Sequence, residues 1–239
     1  MPAPSSAPPR SMPFPTLDEL RRWQVERRLL PLFLRPDEAI PTTEVADASL
    51  PDGGLIERDW VCYCAGVGED IRFEEELVRR WGVHAWLFDP TPRSIAYMEQ
   101  ARPDLDERIA FLPFGLWNED ATLHFAPPER EGYVSHSVME ESERGFDAPC
   151  RSIPSLMREL GHDRVDLLKM NIEGAEHVVL ESAFHAGIRP VVVTLTWEGH
   201  HALAKARAWT RHLAAEGYAF AGRKDWWFTY VRVPSSPGS

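Results

Sequence analysis

Cysteine is scarce in this chain of 239 residues. Cys62, Cys64 and Cys150 are odd in number and too few for a disulfide scaffold. Cys62 and Cys64 lie two apart, so on a strand they share one face; they read as small buried side chains, with a metal or redox role as the alternative. Basic residues are also short, 26 Lys and Arg against 37 Asp and Glu, a formal net charge of −11. A nucleic-acid backbone is bound through a basic footprint, so this balance argues against such a partner. No apolar run approaches the roughly 20 residues that span a bilayer. The opening MPAPSSAPPR lacks the apolar core of a signal peptide. These absences give the expectation of a cytoplasmic protein with no membrane partner.

What is present is an apolar content of 44%, enough for a sizeable core, and a strand–helix rhythm. Residues 1–15 are rich in Pro, Ser and Ala and read as disordered. Residues 16–55 read as a helical extension: Thr16 and Glu19 form a capping box, and Leu17, Leu20, Trp23 and Leu30 line a stripe. That stripe would pack on the domain or make a homodimer. Residues 36–55 read as an irregular crossing with a turn at Asp52-Gly53-Gly54. The main domain spans 56–233, and 234–239 read as a flexible tail. Strands are expected over about 59–65, 83–88, 109–114, 165–170 and 190–196, with helices between them. An extra strand is expected over 121–125, a long loop over 126–150, and a closing antiparallel pair over 218–221 and 226–233. The fold class is therefore α/β, a doubly wound, mostly parallel sheet with an antiparallel closing strand.

In such a sheet, ligands bind beyond the carboxyl ends of the strands. Five polar, glycine-containing segments gather there. The first is Ala65-Gly66-Val67-Gly68-Glu69-Asp70, between a strand and a helix. Asp89-Pro90-Thr91 ends the next strand, with the acid about 20 residues on, where it can accept from ribose hydroxyls. Phe114-Gly115-Leu116, Asn171-Ile172-Glu173 and Trp197-Glu198 complete the edge. Glu69 and Asp70 stand where a pyrophosphate would sit, and carboxylates there would repel it. They suit a cofactor with a cationic amino-acid end and a ribose, which is the shape of S-adenosylmethionine; the alternative for both is acids favoured at a helix start.

The segments YCAGVGEDIRFEEEL, LFDPTPRSI and VDLLKMNIEGAEHVVL resemble the FkbM family of S-adenosylmethionine-dependent methyltransferases, over about residues 56–233. The resemblance implies a Rossmann-like class I methyltransferase fold and O-methylation of a small-molecule acceptor, a sugar or a secondary metabolite from natural product biosynthesis. It implies that Gly66, Gly68 and Asp70 line the methionine end, that Asp89 binds the ribose, and that Phe114, Gly115 and Leu116 border the adenine. Ala65, Pro90 and Thr91 complete the cofactor set. Glu173 and Glu198 would face the active-site mouth.

The family pattern has aspartate where this chain has Asn171. Asparagine is no base at neutral pH, though its oxygen can still ligate or accept. A divalent metal on Asn171, Glu173 and Glu198 is thus conceivable but not favoured. Candidate catalytic residues are Asn171, Glu173, Glu198 and His136, with His200 and His201 behind them; Glu173 has the alternative role of helix cap. Lys169 is expected to pair with an acid, and the aromatic run 226–230 to pack as an inner edge strand, with Trp226 or Trp227 reaching the acceptor pocket as the alternative. A domain that binds the cofactor without transferring methyl is the second reading. A nicotinamide oxidoreductase is the third.

Overall fold

The computed structural model describes residues 30, 34–101, 104–126, 137–138, 145–197 and 202–233. The chain divides into two units, Met1–Arg35 and Pro36–Ser239. In the first, Leu34 N–H donates to Leu30 O at 2.8 Å. The rest of the expected 16–34 helix lies outside the described residues, as do 1–15 and 234–239.

The second unit begins with a correction. Residues 36–55 are not helical and are irregular only at their two ends: between them β1 (Thr42–Val45) and β2 (Ala48–Pro51) form an antiparallel hairpin. Its two-residue turn places Ala46 at φ 47. Asn-Gly or Asp-Gly is the usual mark of such a turn, and Ala46-Asp47 carries neither, so the hairpin left no turn signal to read. Asp52-Gly53-Gly54 does bend, with both glycines at positive φ.

Next come β3 (Val61–Ala65), α1 (Arg72–Trp81), β4 (His84–Phe88), α2 (Pro92–Ala101) and β5 (Ile109–Leu112). Then follow β6 (Gly115–Leu116), β7 (Ala121–Ala126), β8 (Ser137–Val138), β9 (Phe146–Arg151) and α3 (Ile153–Leu160). The chain continues through β10 (Leu167–Met170), α4 (Glu176–His185), β11 (Val192–Thr196), α5 (Ala202–Ala215), β12 (Tyr218–Lys224) and β13 (Trp227–Arg232).

Among the described residues, seven strands form one mixed sheet in the order β12-β13-β11-β10-β3-β4-β5. The five from β5 to β11 are parallel, whereas β13 runs antiparallel to both of its neighbours. The central strands read VCYCA, LLKM and VVTLT and are almost wholly buried. Continuous apolar runs are what strands covered on both faces require. Cys62 and Cys64 are buried and unpaired, and burial pushes both thiols far above their ordinary range. They are packing residues rather than reactive ones.

The 126–150 segment is a second correction, because it is not all loop. β9 pairs with β6 and β7 in a small four-stranded sheet, β6-β9-β7-β8. Pro149 sits inside β9, and a proline within a run argues against a strand. The described helices hold no span long and apolar enough to cross a membrane.

Candidate functional site

The parallel strands end along one edge, and a cavity of about 320 Å³ opens there, at the small end of the range for ligand pockets. Its walls come from the ends of β3, β4 and β10, from β6, and from the start of β13.

Gly66 must be glycine. It has φ 84, and a Cβ there would stand 1.9 Å from the Asn171 carbonyl oxygen. Two strand ends therefore meet backbone to backbone. Gly68 also has positive φ, 58, but open space beside it.

Asp89 organises this loop and is buried. Its Oδ2 accepts from Val67 N–H at 2.9 Å and Gly68 N–H at 3.0 Å. Its Oδ1 accepts from Thr91 N–H at 2.9 Å and from the Thr91 hydroxyl at 2.7 Å. Thr91 in turn caps α2, accepting from Ser94 N–H at 3.3 Å, with Pro92 as first helical residue. One carboxylate thus ties the glycine turn to the β4–α2 turn, a role the sequence does not announce.

Glu69 and Asp70 both line the cavity, but each has a cation. Glu69 pairs with Arg93, and the Arg72 guanidinium grips Asp70, with Nε 2.9 Å from both carboxylate oxygens. Hydrogen bonds from Arg72 hold the Asp70 carboxyl below its ordinary range. This corrects the electrostatic argument drawn from the two acids. Each negative charge is matched by an arginine from the start of α1 or α2, so they form no uncompensated anionic wall.

At the end of β10, Asn171 Oδ1 accepts from the Thr196 hydroxyl at 2.7 Å. One acceptor position of the oxygen that a metal would need is therefore spent within the protein. Glu173 lines the cavity with φ 57, the left-handed region that non-glycine residues rarely adopt. The cause is Glu176, whose carboxylate accepts from Ile172 N–H at 2.9 Å and Gly174 N–H at 3.0 Å, bracketing Glu173. The helix-capping role considered for Glu173 is not filled by it: Ala175 is the N-cap of α4, no side chain caps it, and Glu176 instead ties down the turn that precedes the helix. Burial raises the Glu176 pKa to about 7. Glu176 was missed because an acid in the first turn of a helix looks like ordinary dipole compensation.

Pro90, Thr91, Gly115, Leu116 and Asn171 line the cavity. Phe114 and Ala65 do not: Phe114 stacks on Phe88 with ring centroids 6.4 Å apart, and Ala65 is buried in its strand. Phe125 of β7 takes a place on that wall instead, a residue that no motif in the sequence marks. Trp227 lines the cavity, whereas Trp226 packs against Phe228. Lys169 is paired with buried Glu74 at 2.7 Å, as its position within a strand led us to expect. Glu198, His136, His200 and His201 lie outside the described residues. Among the described residues, no group of three His, Cys, Asp or Glu side chains is placed to hold a metal.

A mixed α/β sheet with a glycine turn and a buried acid at its carboxyl edge defines the general class of protein. The chain belongs to the FkbM methyltransferase domain family, whose profile matches residues 56–220. The fold is similar to that of a methyltransferase FkbM from Methylobacillus flagellatus KT, with a TM-score of 0.51 at 14% identity, over 73% of this chain and 44% of that one. The chain is also 24% identical, over 138 residues, to a probable methyltransferase-like protein 24 of Rattus norvegicus. That match takes in 58% of this chain but only 32% of the relative, so the chain spans about a third of that protein's length. Family membership gives the nicotinamide reading no support.

Proposed function

We propose that this protein is an S-adenosylmethionine-dependent methyltransferase of the doubly wound class I type, transferring methyl to a hydroxyl of a small molecule. The observation that carries the reading is the Asp89 clamp. It holds a glycine turn of open backbone next to a cavity bordered by Gly115, Leu116 and Phe125, a polar cradle beside an apolar slot. That combination fits a ribose and a purine. Asp89 serves the ribose hydroxyls by sharing oxygens that already accept from the loop.

When bound, the cofactor supplies a methyl group activated by its sulfonium. The protein aligns the acceptor oxygen with that carbon, a contribution of up to roughly 7–11 kcal/mol. The acceptor hydroxyl would have to give up its proton to a base of the protein as it takes the methyl group. Glu173 is our candidate, because its backbone is held in an unfavourable conformation at the cavity wall. A metal is not part of the reading, so chelator treatment should leave cofactor binding unchanged.

Calorimetry with S-adenosylmethionine and its demethylated product tests the cofactor; no heat of binding with either would sink the proposal. The second reading, a domain that binds cofactor without transferring methyl, is favoured by one observation, the Asn171 oxygen turned to Thr196. Turnover of any hydroxyl acceptor would remove it.

A further inference from the structure

The cavity does not stop at the glycine turn. It continues to an end lined by Asp47, Phe73, Lys169 and Trp227. Asp47 and Trp227 fall outside the 56–220 stretch that matches the family, so part of this end is built by flanking segments.

Lys169 is an incompletely satisfied buried cation. Its side chain is 6% exposed, and Nζ lies 5.1 Å from the Phe73 ring and 5.3 Å from the Trp227 ring. An ammonium has three N–H donors. Among the described residues Nζ makes one hydrogen bond, to Glu74 Oε1 at 2.7 Å, and Glu74 Oε2 has no partner at all. Burial would lower the Lys169 pKa, but Glu74 chiefly, with Cys64 and Asp47, leaves it raised, so the lysine is charged. Buried ion pairs are retained where further hydrogen bonds use the remaining donors. Here those donors border a cavity.

Asp47 brings the opposite charge. It sits on the turn of the β1–β2 hairpin, which is fastened on both sides: Ala46 N–H donates to Glu76 of α1 at 2.9 Å, and Lys224 of β12 donates to Ala46 O at 2.7 Å. The Asp47 carboxylate takes no hydrogen bond among the described residues and is exposed at the cavity mouth. A cationic donor and a carboxylate at one end of a slot complement a group carrying an ammonium and a carboxylate on one carbon. Sheet order supports the placement. Lys169 of β10 is in register through Cys64 with Leu87 of β4, and Asp89 lies two residues past Leu87, so the two backbones are about 12 Å apart. That separation suits a ribose and an amino acid joined through one sulfur.

We propose that the Asp47–Lys169 end of the cavity holds the amino-acid end of the methyl donor, the α-carboxylate accepting from Lys169 Nζ and the α-ammonium donating to Asp47. The proposal rests on the cofactor reading above.

A ligand-truncation cycle tests it: calorimetry with S-adenosylhomocysteine and with methylthioadenosine, which keeps the adenosine and thioether but lacks the amino-acid end. The wild type should bind the full ligand at least about 100-fold more tightly, about tenfold or more for each of the two charged contacts. D47N, and separately the charge-neutral pair K169M/E74Q, should each shrink that ratio by about 10- to 100-fold, the range for a charged hydrogen bond, and leave methylthioadenosine affinity unchanged. A ratio that persists in both variants, or a loss equal for both ligands, overturns the assignment while leaving the cofactor reading intact. Binding of neither ligand by the wild type would overturn the cofactor reading, and this proposal with it. D47N changes an exposed turn residue, so it reports even if the buried double variant fails to fold.

Discussion

Replacing Asp89 by alanine should destabilise the protein before any ligand is considered. The carboxylate accepts four hydrogen bonds, from Val67 N–H, Gly68 N–H, Thr91 N–H and the Thr91 hydroxyl. Hydrogen bonds to a charged group contribute about 1.5–3 kcal/mol each, and a buried donor left unpaired costs about 1–3 kcal/mol. Not all four losses count in full. Gly68 is exposed, so water replaces its partner, and the Thr91 hydroxyl can turn elsewhere. Val67 is buried, and the Thr91 amide is partly so. Two effective losses of about 1–3 kcal/mol each give about 2–6 kcal/mol. At roughly 2–4 °C per kcal/mol for a unit of this size, Tm should fall by about 4–24 °C. Asp89→Asn sharpens the test. Its amide nitrogen must face either the Val67–Gly68 pair or Thr91, donor against donor, so it should be nearly as damaging as alanine. Urea and thermal denaturation of the free protein read both variants. If Asp89→Asn keeps wild-type stability and loses only ligand affinity, the clamp reasoning is refuted and the carboxylate is a ligand contact alone.

Gly66→Ala should cost more than about 3 kcal/mol or prevent folding, because its Cβ would meet the Asn171 oxygen at 1.9 Å, while Gly68→Ala, with open space beside it, should cost about 1–2 kcal/mol. Equal denaturation midpoints for the two would show that the strand ends are not in backbone contact. Glu176 has a folded pKa of about 7, above its unfolded value, so the folded state holds the extra proton. Its contribution is fully present below about pH 4.3 and is lost as pH rises through 7. Glu176→Gln should flatten the stability–pH curve across that window, by on the order of 3 kcal/mol, and an unchanged slope would contradict the assignment. Lys169→Met alone strands Glu74 as a buried charge and should cost about 3–5 kcal/mol, most of it recovered in K169M/E74Q; chemical denaturation of the three variants decides this.

The sheet was legible because its strands are buried on both faces. VCYCA, LLKM and VVTLT are short apolar runs that no amphipathic helix would produce, and Gly82 and Gly161 end helices in the left-handed conformation that glycine favours. The placement of Gly66, Gly68 and Asp89 followed from strand order. What stayed hidden depended on contacts between distant residues. Ala46 and Asp47 carry no turn signature, so the β1–β2 hairpin could be recognised only from its fastenings to Glu76 and Lys224. Pro149 masked β9 for the same reason: the strand exists because β6 and β7 pair with it.

Those hidden elements bear directly on the site. β7 contributes Phe125 to one side of the cavity, and the hairpin contributes Asp47 to the other. The strand ends between them carry the family's glycine turn and its acid. The middle of the cavity is thus set by the parallel strands, and its two ends by locally paired additions. Substitutions in 42–51 or 121–126 should therefore alter which ligands bind without unseating the seven-stranded sheet. Val45, Ala48 and Leu50 lie buried within the main core cluster and anchor the hairpin, while Asp47 projects at its turn. Exchanging the turn residues while keeping those three anchors separates the two roles. The expected outcome is an unchanged denaturation midpoint with a changed ligand preference. A fall of several degrees in Tm would mean that the turn itself, and not its anchors, holds the hairpin in place.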